Sequence, residues 1–285
     1  MRICTSIRTM LEYEFMRTAF LAGTIVAIVA AAVGYFLILR QAAFAGHALS
    51  HVGFAGATGS ILIGVAPLWG LLAFTLAAAV GMGLLGGRLR GRDVAVGIVL
   101  ALALGLGVLF LYLNTRDARQ ATAILFGNVF AVELHTVWEL LALGAASLCA
   151  LAVISRPLLF ATLNPELAEA KGVSLRQISV LFLVIVAIAV ALTAQVVGVL
   201  LVFALMVAPP AAALVLTSRI GAALALAVVL AVAETWTGIA LAYATDWPPT
   251  SWIVLLSCGV YVLSAIGRDV VASRLALAVQ ARETT

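Results

Sequence analysis

The side chains most able to do chemistry in this chain are the two histidines of His47-Ala48-Leu49-Ser50-His51. Four residues apart, they share one face of a helix, and imidazole is the commonest transition-metal ligand at neutral pH. The competing use is packing, with the rings bonded to backbone or to Ser50. Two nitrogens do not complete a metal site, so ligation requires a contribution from another helix. Glu234 is the best candidate, as the one carboxylate deep within its apolar run, with Gln195 as a polar accessory. Glu234 has its own alternative, a bond to a neighbouring helix. His135 and Glu139 are also four apart, but they stand at the entrance of an apolar run, where they pair with each other or with water.

Three further segments carry a signal. Asn164-Pro165-Glu166-Leu167-Ala168-Glu169-Ala170-Lys171-Gly172 reads as a helix of about two turns. Asn is a good N-cap, Pro suits the first helical position, Glu166 favours the positive helix start, and Gly172 after Lys171 is an exit signal. It is either a solvated connector or a docking helix for a partner. Pro209-Pro210 interrupts an apolar run; paired prolines remove donors, giving a kink or a broken helix that lines a cavity. Gly53, Gly56 and Gly59, and Gly81, Gly83, Gly86 and Gly87, supply small surfaces for close helix packing or for lining a lumen. No G-x-x-x-x-G-K-[ST], H-E-x-x-H or G-x-S-x-G motif occurs, so P-loop ATP binding and the corresponding protease and lipase chemistries lack their signatures. Cys4, Cys149 and Cys258 are scattered without C-x-x-C spacing and read as small apolar residues.

The elements that must position these residues are membrane helices. Of the 285 residues, 65% are hydrophobic and 10% are charged, and mean hydropathy is +1.23. Soluble domains carry roughly 25% charged residues. A span needs about 20 apolar residues to cross about 30 Å of hydrocarbon, and backbone polar groups there must be satisfied internally. The apolar runs are continuous rather than alternating, which selects an all-α, polytopic bundle. Charges punctuate the spans: Thr18 to Leu39, a long run from Gln41 to Gly87 that must fold back around Gly64 to Pro67, Val94 to Leu113, Leu134 to Ser155, a second long run from Gln177 to Ser218, Gly221 to Thr245, and Trp252 to Gly267. With both long runs making two passes there are nine helices, or eight if one half is re-entrant. In such a setting ionisable groups are costly and functional by default, which sharpens attention on His47, His51 and Glu234.

Net charge is +4. The basic residues lie at span ends, where orientation rather than nucleic-acid binding explains them. Arg40, Arg88, Arg90, Arg92, Arg156, Lys171, Arg176, Arg219, Arg268, Arg274 and Arg282 fall on one side. Arg17, Arg116 and Arg119 fall on the other, joined by Arg2 and Arg8 if the start is Met1 rather than Met10. The richer side is cytoplasmic, which places the C-terminus inside and the N-terminus outside, with Trp247 and Trp252 as interfacial anchors. The organisation expected is an N-terminal arm over 1–17, with Met10 as the natural start, a transmembrane domain over 18–267 containing a charged cytoplasmic loop at 156–176, and a cytoplasmic tail over 268–285.

The order of these segments resembles the permease subunits of zinc and manganese ABC importers. Phe44-Ala45-Gly46-His47-Ala48-Leu49-Ser50-His51, Leu125-Phe126-Gly127-Asn128, Asn164 to Gly172, Gln195-Val196-Val197-Gly198-Val199-Leu200-Leu201 and the region of Ala208-Pro209 all carry the likeness, from about Met10 to Gly267. The resemblance implies a type II importer permease in the bacterial cytoplasmic (inner) membrane. It implies a homodimer working with cytoplasmic ABC ATPase subunits and an extracytoplasmic metal-binding protein, and no permanently bound cofactor. Asn164, Pro165, Glu166, Glu169, Lys171 and Gly172 would then form the coupling helix that meets the ATPase. The connection from Arg116 to Glu133 would lie near the binding protein. His47, His51 and Glu234 would touch the metal in transit, with Ser50, Gln195, Pro209 and Pro210 lining the path. Many members have Asp where this chain has His47, and imidazole for a hard oxygen favours zinc over manganese.

Two other readings make different demands. Uptake of a metal chelate such as a siderophore or haem would require a wider apolar cavity and no histidine pair. An ion-coupled secondary transporter would work without an ATPase and would need an acidic coupling site, for which Glu234 is the available residue.

Overall fold

The computed structural model describes residues 10, 12–85, 92–113 and 124–283, with the side chains of 85, 92, 269 and 271–283 left aside. Arg2, Cys4, Arg8, Gly86, Gly87, Arg88, Arg90, Arg116, Asp117 and Arg119 lie outside the described residues. The described residues form ten α-helices: α1 (Glu14–Leu39), α2 (Ala43–Leu62), α3 (Pro67–Leu85), α4 (Arg92–Leu113), α5 (Leu134–Leu163), α6 (Pro165–Ala170), α7 (Leu175–Val197), α8 (Val202–Leu216), α9 (Ile220–Thr245) and α10 (Pro249–Glu283). A single turn of 3-10 helix, Val129–Ala131, precedes α5, and no strand occurs among them.

Seven of these helices are long and apolar enough to cross a membrane. The two remaining longer ones come from the two long charge-free runs. Helix α8 has 15 residues and falls short in length. Helix α2 is long enough at 20 residues, but its glycines, histidines, serines and threonine lower its hydropathy. It tolerates them because other helices, not lipid, surround it: it packs on α3 and α4, with further contacts to α7 and α8, and 13 of its 20 residues are buried. By contrast α4 presents Val94, Ile98, Leu102, Leu109 and Tyr112 outward, the composition of a lipid-facing surface. Helices α1 and α7 pack on each other and form the deepest part of the core, with Tyr35, Leu37, Phe182 and Leu192 almost fully buried.

The turnarounds follow from local chemistry. At the end of α2, Val65 N–H donates to the Ser60 carbonyl and Gly64 N–H to the Ile61 carbonyl, with Gly64 at φ +73°. This left-handed exit followed by Pro67 at the head of α3 satisfies carbonyls left over at the helix end, and it turns the chain where the sequence places the fold-back. The same pair of bonds closes α1, from Gln41 N–H to Ile38 and from Ala42 N–H to Leu37, but here a glutamine takes the left-handed position at φ 53°.

Three boundaries differ from the sequence reading. Helix α1 starts at Glu14 rather than Thr18, because Met16 is already fully buried and Glu14 suits the positive helix start. Helix α5 continues through Pro157 to Leu163, into the stretch read as loop. Proline removes one donor, and burial of Leu158 and Ala161 outweighs it. Helix α10 runs on past Gly267 to Glu283.

Candidate functional site

The tight turn at Gln41 delivers α2 so that its second and third turns carry His47 and His51 on one face. The two rings meet edge to face, with centroids 4.7 Å apart and planes at 87°. Phe203, from the first turn of α8, meets His47 in the same manner at 5.2 Å. Both histidines are partly buried, and Nδ1 of His47 is buried without a hydrogen-bond partner. The Ser50 hydroxyl is buried beneath them and donates to the His47 carbonyl at 2.7 Å. It therefore bonds backbone rather than either ring, so of the packed-pair alternative the ring packing is present and the Ser50 bond to a histidine is not. Two imidazoles supply at most two nitrogens, half of the four ligands of a closed tetrahedral site. Such a pair can touch an ion and release it.

The other sequence candidates lie elsewhere. Glu234 is 4% exposed in α9, and its Oε2 accepts a short hydrogen bond from the Ser257 hydroxyl of α10, while Oε1 is buried and unpartnered. Helix α9 packs against α1, α8 and α10. Among the described residues no group of three His, Cys, Asp or Glu side chains is close enough to hold an ion, so Glu234 does not complete the histidine site in this conformation. Its alternative, a bond to a neighbouring helix, is what the structure shows.

Gln195, near the end of α7, lines a cavity of about 360 Å³ together with Asn128, Glu133, His135 and Glu139. There His135 stands between two carboxylates, with Nδ1 3.5 Å from Glu133 and Nε2 3.9 Å from Glu139, all in contact with solvent. Pro209 and Pro210 are both buried inside α8, which continues through them from Val202 to Leu216. The break in this run falls earlier, at Gly198–Leu201, where Gly198 has φ +91°. The prolines act more locally. Pro210 deprives Met206 of its in-helix donor, and the Met206 carbonyl packs against Gly34 of α1 so closely that a Cβ there would lie 1.8 Å from the oxygen.

The segment Asn164 to Gly172 forms the short helix α6. Pro165 occupies its first position and Glu166 its first turn. Asn164 caps through its carbonyl, which accepts from Ala168 N–H at 3.0 Å; its side chain makes no cap bond, because the backbone at φ −140° ψ 76° turns it away. Gly172 at φ +82° ends the helix, with Val173 N–H bonded to Ala168 and Gly172 N–H to Glu169. Ala168 is fully buried, while Asn164, Pro165, Glu166, Glu169 and Lys171 are exposed and Leu167 is half exposed. Behind α6 a cavity of about 470 Å³ is lined by the ends of α1, α3, α5 and α7. Within it Arg40 donates to Ser179 at 2.8 Å and lies over the Phe182 ring. The short helix thus lies over a hollow whose rim includes its own Pro165 and Glu169, anchored by buried Ala168 and by Lys171 over the Phe160 ring of α5 at 5.8 Å.

Sequence reasoning passed over Phe203, Ser257 and Leu167. Phe203 and Leu167 are apolar residues in apolar stretches, and only tertiary contact distinguishes them. Ser257 becomes visible only once α9 and α10 are known to be neighbours.

A multi-pass helical bundle with a polar inner helix, a proline-interrupted short helix and an outward-facing helix beyond the spans has the architecture of a membrane permease. The chain belongs to the ABC 3 transport family, whose model matches residues 12–268; it is the membrane subunit of a metal-type importer, a transport component rather than an enzyme. It is 30% identical over 256 residues to the manganese transport system membrane protein MntC of Halalkalibacterium halodurans, covering 90% of this chain and 88% of that one. It is also 30% identical to a probable iron transport system membrane protein of Haemophilus influenzae, over 89% and 94% of the two chains. Among solved structures, PsaBC from Streptococcus pneumoniae in complex with Fab superposes with a TM-score of 0.82 at 27% identity, covering 92% of this chain and 95% of that one.

Proposed function

We propose that the chain is the permease through which a divalent transition-metal ion, zinc before manganese, enters the cytoplasm. His47 and His51 are its transient contacts at the inner helix α2. The observation that carries this reading is the edge-to-face pair of rings with a buried, unpartnered Nδ1 on His47. A buried polar nitrogen without a partner is costly, and an incoming cation removes that cost. Two nitrogen donors suit zinc better than the hard manganese ion. Manganese is the second reading, favoured by the relative named for its transport. In this proposal α6 receives a cytoplasmic ABC ATPase, an extracytoplasmic metal-binding protein delivers the ion, and two copies of the permease pair within the bacterial inner membrane, with the C-terminus inside. The exposed polar face of α6 supports the first of these.

The test is cellular metal content in a complemented importer-deficient strain, with zinc, manganese and iron offered separately. Combined His47→Ala and His51→Ala should cut accumulation more than about tenfold at unchanged membrane protein level, since losing even a group that only orients a metal ligand costs about tenfold or more. Unchanged accumulation would mean that the pair does not touch the ion. Zinc accumulation without manganese accumulation would support the first reading, and the reverse would support the second.

A further inference from the structure

Phe203 is the one aromatic ring in contact with His47 besides His51 among the described residues, and its position is set from an unexpected direction. It is the second residue of α8, immediately after the break that separates α8 from α7. That break is tied to the connection preceding α5. Val199 N–H donates to the Ile124 carbonyl at 3.1 Å and Leu200 N–H to the Leu125 carbonyl at 3.2 Å. Beside these bonds the two backbones touch at Gly127 and Gly198, both at positive φ. A Cβ on Gly127 would lie 2.3 Å from the Val197 carbonyl carbon, and one on Gly198 2.3 Å from the Gly127 nitrogen. No side chain fits between them, so the 124–127 strip and the start of α8 form one piece. Helix α7 ends at Val197, with Gly198 N–H still bonded to the Ala194 carbonyl; the junction therefore sits on the end of α7, and the ladder is interrupted between it and the start of α8 at Val202.

We propose that Phe203 is a positioning residue for the histidine pair, covering His47 edge-on, and that the Gly127–Gly198 junction lets the connection before α5 move this cover on and off. The proposal rests on the reading that the pair contacts the transported ion, and it goes beyond that reading by saying what admits the ion and from which end the signal arrives. An aromatic edge against imidazole fixes the ring's orientation and denies a hydrated cation its approach. Displacing the junction by an ångström or two carries Phe203 with it, five residues on, through the turn closed by Leu201 N–H on the Gly198 carbonyl. A partner that docks on the connection preceding α5 therefore has a short mechanical route to the site.

The experiment uses the intact importer, permease with its ATPase and binding protein, in cells. Cys4, Cys149 and Cys258 are replaced by Ser, His47→Cys is introduced, and its modification by a membrane-impermeant thiol reagent added from outside is timed. Phe203→Ala and Gly198→Ala should each raise the modification rate at least tenfold, and Phe203→Tyr, which keeps the ring, should restore the slow rate. With His47 retained, Phe203→Ala should shift the KM for metal uptake by several-fold with the maximal rate retained, and Phe203→Tyr should reverse that shift. Equal modification rates in Phe203→Ala and the parent would overturn the proposal. A fast rate in Phe203→Ala but not in Gly198→Ala would overturn the junction. Should Gly198→Ala fail to assemble, Gly127→Ala decides the junction on the same criterion. Failure of the histidine reading looks different: uptake would survive loss of both histidines while the accessibility results stood.

Discussion

Replacing Gly34 with Ala probes the contact on which the position of α8 depends. Helix α1 meets α8 at the carbonyl of Met206, which Pro210 has released from the helical ladder. The added methyl would sit 1.8 Å from that oxygen and 2.8 Å from its carbon, well inside the 3.0 Å that real Cβ contacts observe, and both atoms are backbone. Neither helix can yield by a side-chain rotation, so α1 and α8 must part. Overpacking of this kind costs about 1–3 kcal/mol, and loss of the Cα–H contact to the carbonyl costs about 0.5–1 kcal/mol more. Alanine's helix propensity returns about 1 kcal/mol, leaving a net destabilisation of about 0.5–3 kcal/mol. At roughly 2–4 °C per kcal/mol for a chain of this size, the melting temperature of the purified permease in nanodiscs should fall by roughly 1–12 °C. The matched control is Gly81→Ala in α3, where nothing lies within 4 Å of the added methyl; it gains the same propensity without the collision and should melt at or slightly above the parent. If the two variants melt together, the backbone contact does not exist as described. Adding Pro210→Ala gives Met206 a donor within its own helix and draws the carbonyl back, so the double variant should lose less than the sum of the singles.

Other consequences follow from individual residues. Gln41 occupies a left-handed position that costs a residue with a Cβ roughly 1–2 kcal/mol, so Gln41→Gly should raise the melting temperature by a few degrees with uptake intact; a fall would show that the glutamine side chain holds the turn. Ser257→Ala removes the hydrogen bond to Glu234 and should destabilise by about 1–3 kcal/mol. A melting-temperature cycle with Glu234→Gln should give a coupling energy of at least about 0.5 kcal/mol, and additive losses would separate the two residues. Charge reversal at Glu166 and Glu169 changes the exposed face of α6 without touching its anchor Ala168, so it should abolish co-purification with the ATPase and leave the melting temperature within about 1 °C, the usual range for surface substitutions. Intact co-purification would remove α6 as the docking element.

What could be read from the sequence was whatever depends on neighbours along the chain. Apolar runs fixed the helices, Gly64 and Pro67 fixed the first fold-back, and Pro165 with Gly172 bracketed α6, because each of these is decided within a few residues. The histidine pair was legible for the same reason, four residues being one turn. What was left open or misplaced depends on contacts across the bundle. Glu234 has two readings in the sequence, a third metal contact or a bond to a neighbouring helix, and in this conformation the second is seen, with Ser257, a residue with no distinguishing context. The paired prolines allow a kink or a helix break. Helix α8 runs through them, and the break in this run falls between Gly198 and Val202, where the Gly127 backbone meets Gly198. The end of α5 was placed at the first charge, Arg156, whereas burial of Leu158 and Ala161 carries the helix another two turns.

These differences converge on why α8, rather than any longer helix, is the element whose movement would uncover the histidines. Helix α1 is in contact with α5, α7, α8 and α9, and α7 with α1, α3 and α5; shifting either disturbs a close-packed interior that resists small displacements. Helix α8 is 15 residues long, has already lost its ladder to α7, and has lost two further in-helix bonds at Pro209 and Pro210. The N–H groups of Val199 and Leu200 are satisfied from outside the helix by the connection before α5, and the Met206 carbonyl packs against Gly34. Helix α8 also packs on α1, α9 and α10, so a displacement exchanges side-chain contacts with these helices together with the backbone contacts at its start. One end of that exchange faces the connection before α5, and the other carries Phe203 across His47. The glycines at 34, 127 and 198 are the points where these backbones meet, and at each a single methyl group would force them apart.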